Sequence, residues 1–406
     1  MHSDAAGVQL FYERYPYPPP GEPLDRYRAL WEDGQLRRQD HHLFWPARPF
    51  RDDHSILVAG CGTSQAAKYA MRWPAARVTG IDFSAASVRC TEALKRTHHL
   101  DNLHVRQLPI ERAAELETTF DQIVCTGVLH HLADPGAGLR ALRQVLEPDG
   151  AMLVMVYAPY GRAGIYMMQE FCRRVGIGAT EDGVRDLIAT LGALPLGHPL
   201  SRLRDAPDFH RTSAIADALL HPRDRAYSVP QLFDFIANAG LTFGRWIKQA
   251  PYSAQCGVVA QLPQTSRLRE LSLVEQYAAV ELFRGTMVRH SAIVYRSDGP
   301  SGGRELSFVE DPCLDYVPIR MPDTICVRDR LPPGAEAVLI NRSHTYTDIV
   351  LAIDALEARL FEAVDGNRCL RQIVEDALPG QPRRFDIGRQ FFERLWLYDQ
   401  IAIGTA

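Results

Sequence analysis

The sequence predicts an α/β fold, in which a doubly wound, mostly parallel, seven-stranded sheet precedes a smaller α+β domain. From residue 55 onward, short apolar runs alternate with helical patterns, and this repetition favours a parallel sheet with right-handed crossovers. The runs are nearly continuous in apolar residues, which is typical of strands buried on both faces. A linker, SDGPSGGRE at 297–305, separates this region from a C-terminal part of different composition.

The apolar runs are the predicted strands. They lie at 55–60, 77–82, 103–107, 120–126, 151–158, 241–249 and 290–296. Before the fifth run, Leu139, Leu142 and Leu146 recur at helical spacing, and Pro148 with Gly150 ends that helix.

We expect an N-terminal arm and helix at 1–50, a central domain at 51–297 and a C-terminal domain at 305–406. Residues 159–228 combine helical patterns with Gly and Pro breaks directly after the fifth strand, which predicts a helical lid over a site. Residues 347–366 predict one amphipathic helix. Its apolar stripe consists of Ile349, Ile353, Leu356 and Leu360.

Composition excludes several classes of protein. A formal net charge of −4 offers no basic excess for binding nucleic acid. The longest apolar run, 151–158, is too short to span a membrane, and the start of the chain lacks the features of a signal peptide. The eight cysteines form no CxxC pair, so no metal site is predicted. We therefore expect a cytoplasmic protein without nucleic-acid, membrane or metal partners.

The most informative residues follow the first two predicted strands. Gly60 and Gly62 lie at a strand-to-helix turn, where glycine lets the backbone approach a ligand and free N–H groups point outward. Asp82 ends the second strand, and a carboxylate there can accept hydrogen bonds from both ribose hydroxyls of a nucleoside. Phe83 follows, with an apolar ring against which adenine can pack.

The glycine turn favours one class of nucleotide over another. Gln65 stands where a GxGxxG motif has its third glycine, so a dinucleotide pyrophosphate has less support than a ligand without phosphates. A nicotinamide-dependent oxidoreductase is therefore disfavoured. The alternative is that the glycines form a tight turn with a purely structural role and that no ligand binds there.

Four segments in order carry a family resemblance. LVAGCGTSQ, VTGIDFSAASV, FDQIVCTGVLHHLADP and LRQVLEPDGAMLVMVY resemble successive motifs of class I S-adenosylmethionine-dependent methyltransferases, which have a Rossmann-like fold. The resemblance implies S-adenosylmethionine as the cofactor. The cofactor residues that it implies are Gly60, Cys61, Gly62, Gln65, Asp82, Phe83, Leu108, Pro109, Ile110, Thr126, Gly127 and Val128.

The sequence departs from the family pattern at three places. Val58 replaces an acidic residue that often precedes the first glycine, and Ser64 replaces the third glycine of the GxGxG turn. The acidic residue common after the third strand is absent near Pro109, with Glu111 as a displaced substitute. Backbone groups can supply these contacts, so the cofactor assignment stands while individual contacts remain open.

His130 and His131 are the candidate catalytic residues. A histidine in this strand-to-helix loop can accept a proton from the methyl acceptor, because its pKa lies near neutrality. The alternative is a histidine that caps a helix or binds backbone. The predicted acceptor-binding residues, each with a structural alternative, are Tyr17, Tyr157, Tyr160, His210 and Tyr227.

The sequence therefore predicts an enzyme that transfers a methyl group to an O, N or S nucleophile of a small metabolite. One alternative is a peptide or protein acceptor, recruited by the C-terminal domain, which weakly resembles a winged-helix module. Another is a protein that binds the nucleoside without catalysis. A homodimer through the C-terminal domain is left open.

Overall fold

The structure is a computed structural model that describes Val8, Phe11, Glu13 and residues 24–201, 211–300 and 306–405. Tyr17 and His210 lie outside these residues. The chain forms two compact units. The described residues of the first lie within Met1–Leu30, Asp53–Phe243 and Arg284–Gly302, and those of the second within Trp31–Asp52, Gly244–Phe283 and Gly303–Ala406.

The first unit is organised around a seven-stranded sheet with the strand order β3-β2-β1-β4-β5-β7-β6. Neighbouring strands from β3 to β5 pair in parallel, and β7 pairs antiparallel with β5. The predicted mostly parallel, seven-stranded sheet is therefore confirmed. The strands are β1 Ser55–Ala59, β2 Arg77–Asp82, β3 Leu103–Gln107, β4 Phe120–Thr126, β5 Leu146–Tyr157, β6 Leu241–Trp246 and β7 Arg289–Arg296.

Helices surround this sheet and make up much of the second unit. In chain order they are α1 Asp25–Leu30, α2 Gly34–Phe44, α3 Gln65–Arg72, α4 Ala85–His98, α5 Pro135–Gln144, α6 Ala163–Val175, α7 Glu181–Gly192, α8 Thr212–Leu220, α9 Val229–Asn238, α10 Thr265–Glu270, α11 Leu273–Arg284, α12 Ala355–Glu362, α13 Leu370–Ala377 and α14 Arg384–Leu397. None of the described helices is long and apolar enough to cross a membrane.

Local sequence explains where the elements near the site begin and end. All of β1 is buried, as its continuous apolar run predicts. Asp134 caps α5 through Ala137 N–H, and Pro135 occupies its first turn. The helix ends at Gln144, whereas Leu146, Pro148 and Gly150 belong to β5, so the predicted helix end was too late.

Helices α6, α7 and α8 follow β5 and have an apolar core of their own. Its buried members are Ile165, Met168, Cys172, Leu187, Leu191, Leu200, Ile215 and Leu219. These helices occupy the segment that the sequence predicts to be a lid.

The second unit contains two small antiparallel sheets. One pairs β8 (Tyr316–Arg320) with β12 (Ile401–Thr405), and the other has the order β11-β10-β9. The strands of the latter are β9 Thr324–Val327, β10 Ala337–Asn341 and β11 Val350–Ile353. Helices α12, α13 and α14 contribute to its apolar core. An α+β C-terminal region is thus confirmed, and the winged-helix resemblance stays a prediction.

The single helix predicted at 347–366 was wrong. Val350–Ile353 forms β11 and pairs with β10, and α12 begins only at Ala355. The side chain of Asp354 accepts hydrogen bonds from Leu356 N and Glu357 N, which completes a capping box and starts the helix there.

The two units differ in extent from the predicted domains. Trp31–Asp52 and Gly244–Phe283 group with the C-terminal residues and not with the sheet. The predicted boundaries 1–50, 51–297 and 305–406 stay a prediction about domains.

Candidate active site

A cavity of about 1080 Å³ lies in the first unit, where the parallel strands end. Gly60 follows β1, Asp82 ends β2, Thr126 ends β4 and Tyr157 ends β5, and all four line the cavity. Ligands of open parallel sheets bind at this edge, since carboxyl-end loops converge there.

The glycine turn after β1 has the conformation that a close backbone approach requires. Gly60 and Gly62 have φ angles of 70° and 55°, a region that favours glycine. The N–H groups of Gly60 and Cys61 donate to Ile81 O, which ties the turn to β2. A Cβ added at Gly60 would lie 2.4 Å from Cγ2 of Val128, so only glycine fits.

Asp82 is held in place by the glycine turn. Its carboxylate accepts hydrogen bonds from Gly62 N at 2.9 Å and from Ser84 N at 2.8 Å. The side chain is only 7% exposed, and this burial raises the pKa of the carboxyl group, while the two backbone donors act in the opposite direction. Each oxygen keeps a second lone pair for a ligand hydroxyl.

The remaining predicted cofactor residues surround the same space. Gln65 Nε2 donates to Thr126 Oγ1 at 2.6 Å, which joins the start of α3 to the end of β4. Of the predicted cofactor residues, Leu108 alone does not line the cavity, because its side chain is buried in the protein. Its backbone N–H donates to Asp82 O at 2.9 Å.

The structure separates the two adjacent histidines. His131 lines the cavity, and His130 is fully buried outside the lining. His131 Nδ1 lies 2.6 Å from Arg223 O, which can only accept, so Nδ1 carries a proton, and in the neutral ring Nε2 keeps its lone pair. That Nε2 has no hydrogen-bond partner among the described residues.

The two histidines next to His131, which are His130 and His221, stay uncharged. Burial, followed by the charges of His131, Arg162 and His221, holds the pKa of His130 well below its ordinary value. Burial also lowers the pKa of His221 to about 2. The centroids of the His131 and His221 rings are 3.9 Å apart.

His131, Asp217 and His221 place one potential metal-ligand atom each within 4.8 Å of one another. However, His221 Nδ1 accepts a hydrogen bond from Arg223 N at 3.0 Å, so the neutral ring carries its proton on Nε2. Neither nitrogen of His221 then offers a lone pair to a cation. His221 therefore drops out of that group, while His130, His131 and Asp224 form a second group of the same kind, and the metal-free site stays a prediction.

The predicted acceptor-binding tyrosines are dispersed. Tyr157 lines the cavity, whereas Tyr160 and Tyr227 do not, and all three assignments stay predictions. Tyr160 is 41% exposed to solvent just beyond β5. Tyr227 is buried, and its ring packs at 5.0 Å from that of Phe235.

Four further charged residues line the side of the cavity next to the lid helices, and sequence reasoning missed them. Together with His131 and Tyr157 they form what we call the lid side: His131, Tyr157, Arg162, Asp217, Arg223 and Arg289. No local signal marks the four charged residues, because they come from separate parts of the chain.

Comparison with known proteins agrees with this geometry. Residues 57–152 match the family model of a methyltransferase domain. An uncharacterized protein of Synechococcus sp. is 31% identical over 308 residues, which are 72% of each chain. The trans-aconitate 2-methyltransferase of Deinococcus radiodurans is 31% identical over 140 residues, 34% of this chain and 50% of that protein. A ubiquinone biosynthesis O-methyltransferase of Neisseria meningitidis is 30% identical over 135 residues, 31% of this chain and 57% of that protein. The chain thus spans about half the length of these two enzymes.

The fold similarity extends over both units. The structure of PKMT2 from Rickettsia typhi in complex with AdoHcy has a TM-score of 0.64 at 17% identity, covering 93% of this chain and 76% of that one. Fold, glycine turn and family model together define a class I S-adenosylmethionine-dependent methyltransferase, with S-adenosylmethionine as its cofactor. Within that class, the chain belongs to the same family as the uncharacterized Synechococcus protein.

Proposed function

We propose that this methyltransferase methylates an O, N or S nucleophile of a small metabolite, and that His131 receives the proton of the acceptor. The observation that carries the proposal is the position of His131 in the wall of the cavity that also contains Gly60 and Asp82. Its Nε2 is an acceptor without a described partner, so a ligand with an O–H, N–H or S–H group satisfies it.

The dimensions of the cavity suit two small ligands. Pockets for one small ligand have volumes of about 300–1,000 Å³. The present cavity, at about 1080 Å³, has room for S-adenosylmethionine and a small acceptor together. Two relatives that match about a third of this chain are named for small-molecule chemistry, which supports an acceptor of this kind.

The proposed cofactor contacts follow from the geometry. Asp82 would bind the ribose hydroxyls, the turn at Gly60 and Gly62 the methionine part, and Phe83 the adenine face. Thr126, Gly127 and Val128 would lie beside the methyl group. S-adenosylmethionine supplies an electrophilic methyl group on a sulfonium.

The chain's own residues then align and deprotonate the acceptor. The nucleophile forms a bond to the methyl carbon as the carbon–sulfur bond breaks, and the electron pair of that bond stays on sulfur. The proton of the nucleophile passes to Nε2 of His131. The hydrogen bond from Nδ1 to Arg223 O at 2.6 Å keeps this ring in the required tautomer.

A labelling experiment tests the proposal. The purified protein is incubated with cell extract and S-adenosylmethionine carrying a radioactive methyl group, and products are separated into small molecules, peptides and proteins. Label in the small-molecule fraction is the expected result. Label only in peptides or proteins would replace the proposal with the peptide acceptor, and no label in any fraction would contradict catalysis on extract components.

A further inference from the structure

Beyond the proposed function, on which this inference rests, the lid side carries information about the acceptor itself. The side chain of Arg162 is 8% exposed and its partner Asp224 only 2%, with 3.0 Å between Nη2 and Oδ2. Nε of Arg162 donates to the hydroxyl of Tyr166 at 3.2 Å, and the guanidinium carbon lies 3.5 Å from the centroid of the Tyr157 ring. The guanidinium group is thus held by three different contacts.

One edge of this guanidinium remains available. Nη1 of Arg162 has no hydrogen-bond partner among the described residues, and the residue lines the cavity. A guanidinium group has five N–H donors, and its planar edge matches a carboxylate in a bidentate geometry. Because Asp224 already binds the other side, the group is preorganised and loses little conformational entropy on binding a ligand.

A second arginine is paired with the same tyrosine in the sheet. Tyr157 on β5 and Arg289 on β7 are directly paired residues of antiparallel strands. Side chains of such a pair lie on the same face of the sheet, with Cβ atoms about 5 Å apart. Arg289 lines the cavity, and its side chain makes no hydrogen bond or ion pair with any described residue. Arg162 therefore contacts the Tyr157 ring, and Arg289 extends from the same face of the sheet as Tyr157.

The charges of the lid side favour an anion. Arg162, Arg223 and Arg289 are its cations, and Asp217 is its carboxylate. Asp224 lies behind Arg162 and outside the lining, where it balances one cation. A ligand carboxylate next to Tyr157 would thus enter a region with an excess of positive charge.

We propose that the methyl acceptor carries a carboxylate group, which Arg162 and Arg289 bind beside Tyr157 while its separate nucleophile lies at His131. The lid side then has two distinct tasks. The arginines bind and orient the acceptor through a group that does not react, and His131 receives the proton from the group that does. Acceptors of this class include hydroxy acids and thiol acids.

The class of acceptor is tested with small molecules from cell extract, separated on an anion-exchange column into anionic and non-anionic pools. Each pool is also treated with a carbodiimide and methylamine, which converts carboxylates to amides, and a separate portion is treated with a phosphatase, which removes phosphate monoesters and leaves carboxylates unchanged. We expect methyl transfer from labelled S-adenosylmethionine to the untreated anionic pool, and its loss after amidation.

Each other outcome has a distinct meaning. Methylation only of the non-anionic pool, or methylation that survives amidation, would overturn the carboxylate assignment and leave a small-molecule methyltransferase. Label confined to the protein fraction of the extract, or no label at all, would overturn the proposed function and with it this inference.

The binding residues are tested with the methylated anionic pool, fractionated to a single acceptor. Arg289→Gln should raise the KM for the acceptor by about 10- to 100-fold with kcat retained, because a charge-assisted hydrogen bond is lost. Arg162→Lys should do the same, since lysine keeps the charge without the planar edge. The matched control is Arg185→Gln on α7, whose side chain is 74% exposed and outside the cavity lining.

Arg162 is buried, so the melting temperature of the Arg162→Lys variant is measured to show whether it folds. If it does not fold, the Arg289→Gln variant still tests the assignment. The KM for S-adenosylmethionine should stay unchanged in Arg289→Gln. A wild-type acceptor KM in this variant, or an equal rise in the Arg185→Gln control, would overturn the assignment.

Discussion

At the scale of single residues, the ribose assignment depends on Asp82. The carboxylate is fixed by Gly62 N and Ser84 N, and each oxygen keeps a lone pair for a ribose hydroxyl. Asp82→Ala should weaken S-adenosylmethionine binding by about 2–4 kcal/mol, because two charge-assisted hydrogen bonds disappear together. Titration calorimetry measures the loss. Asp101→Ala, an exposed carboxylate in the turn before β3, is the control. Unchanged affinity in Asp82→Ala would remove the ribose assignment.

The two histidines provide a matched pair of variants. His131 lies in the cavity wall and His130 behind it, although they are adjacent in sequence. His131→Gln should lower kcat by about 10²- to 10⁴-fold, the usual contribution of a general base, and leave the cofactor Kd nearly unchanged. His130→Gln should retain far more activity. A larger loss of kcat in His130→Gln than in His131→Gln would show that the proton acceptor is not His131.

At the scale of elements, the junction between α14 and β12 contains a buried carboxylate. Asp399 accepts a hydrogen bond from Ala250 N at 2.9 Å and lies 3.5 Å from Arg245. Burial raises its pKa from 3.8 to about 6, with Arg245 opposing the shift. The folded protein therefore holds this proton more tightly than the unfolded chain does.

The raised pKa predicts a pH dependence of stability. The contribution of Asp399 is fully present below pH 3.8 and is lost as the pH rises through about 6. Between pH 4 and pH 7 the free energy of unfolding of the wild type should fall, relative to Asp399→Asn, by on the order of 3 kcal/mol. Denaturant unfolding of both proteins at each pH measures this. The exposed Asp329→Asn variant should show no such trend, and a flat difference for Asp399→Asn would contradict the raised pKa.

Elements were predicted well where one pattern persists and poorly where two patterns meet. The strand β1 is one continuous apolar run, and all of its residues are buried, so one pattern describes the whole element. In 347–366, by contrast, a four-residue strand and an eight-residue helix together imitate one helical stripe. Pairing with β10 and the cap at Asp354 divide the segment, and only the first of these is a long-range contact.

At the scale of the whole molecule, the second unit is assembled from three separate stretches of chain. Helix α2 comes from one of them, and its Arg38 donates to Gly366 O at 2.5 Å. His42 of α2 lies so close to β12 that a Cβ added at Gly404 would be 3.0 Å from its Nε2. The folded form of residues 31–52 thus depends on residues beyond the linker.

Truncation tests this dependence. A fragment ending at Pro300 lacks Gly366 and β12, which Arg38 and His42 contact, and should expose the face of α2 that contains the buried His42, at a cost of about 3 kcal/mol or more. Its melting temperature should fall by roughly 10 °C or more relative to the full chain. The control is the full chain cleaved within 297–305 after purification, which retains both pieces. An undiminished melting temperature of the fragment would show that residues 31–52 do not depend on residues 301–406.

The sequence by itself determined the parallel sheet, the glycine turn and Asp82. These features are local, because each consists of an apolar run and the few residues that follow it. Only the tertiary structure decided that His131 and not His130 lines the cavity, since adjacent residues differ there in the direction of their side chains. It also placed Arg289 on the same face of the sheet as Tyr157, through a β5–β7 pairing between residues far apart in the chain, and folded Arg162 back onto the Tyr157 ring. Strand pairing and lid packing set such contacts, and no local sequence pattern records them.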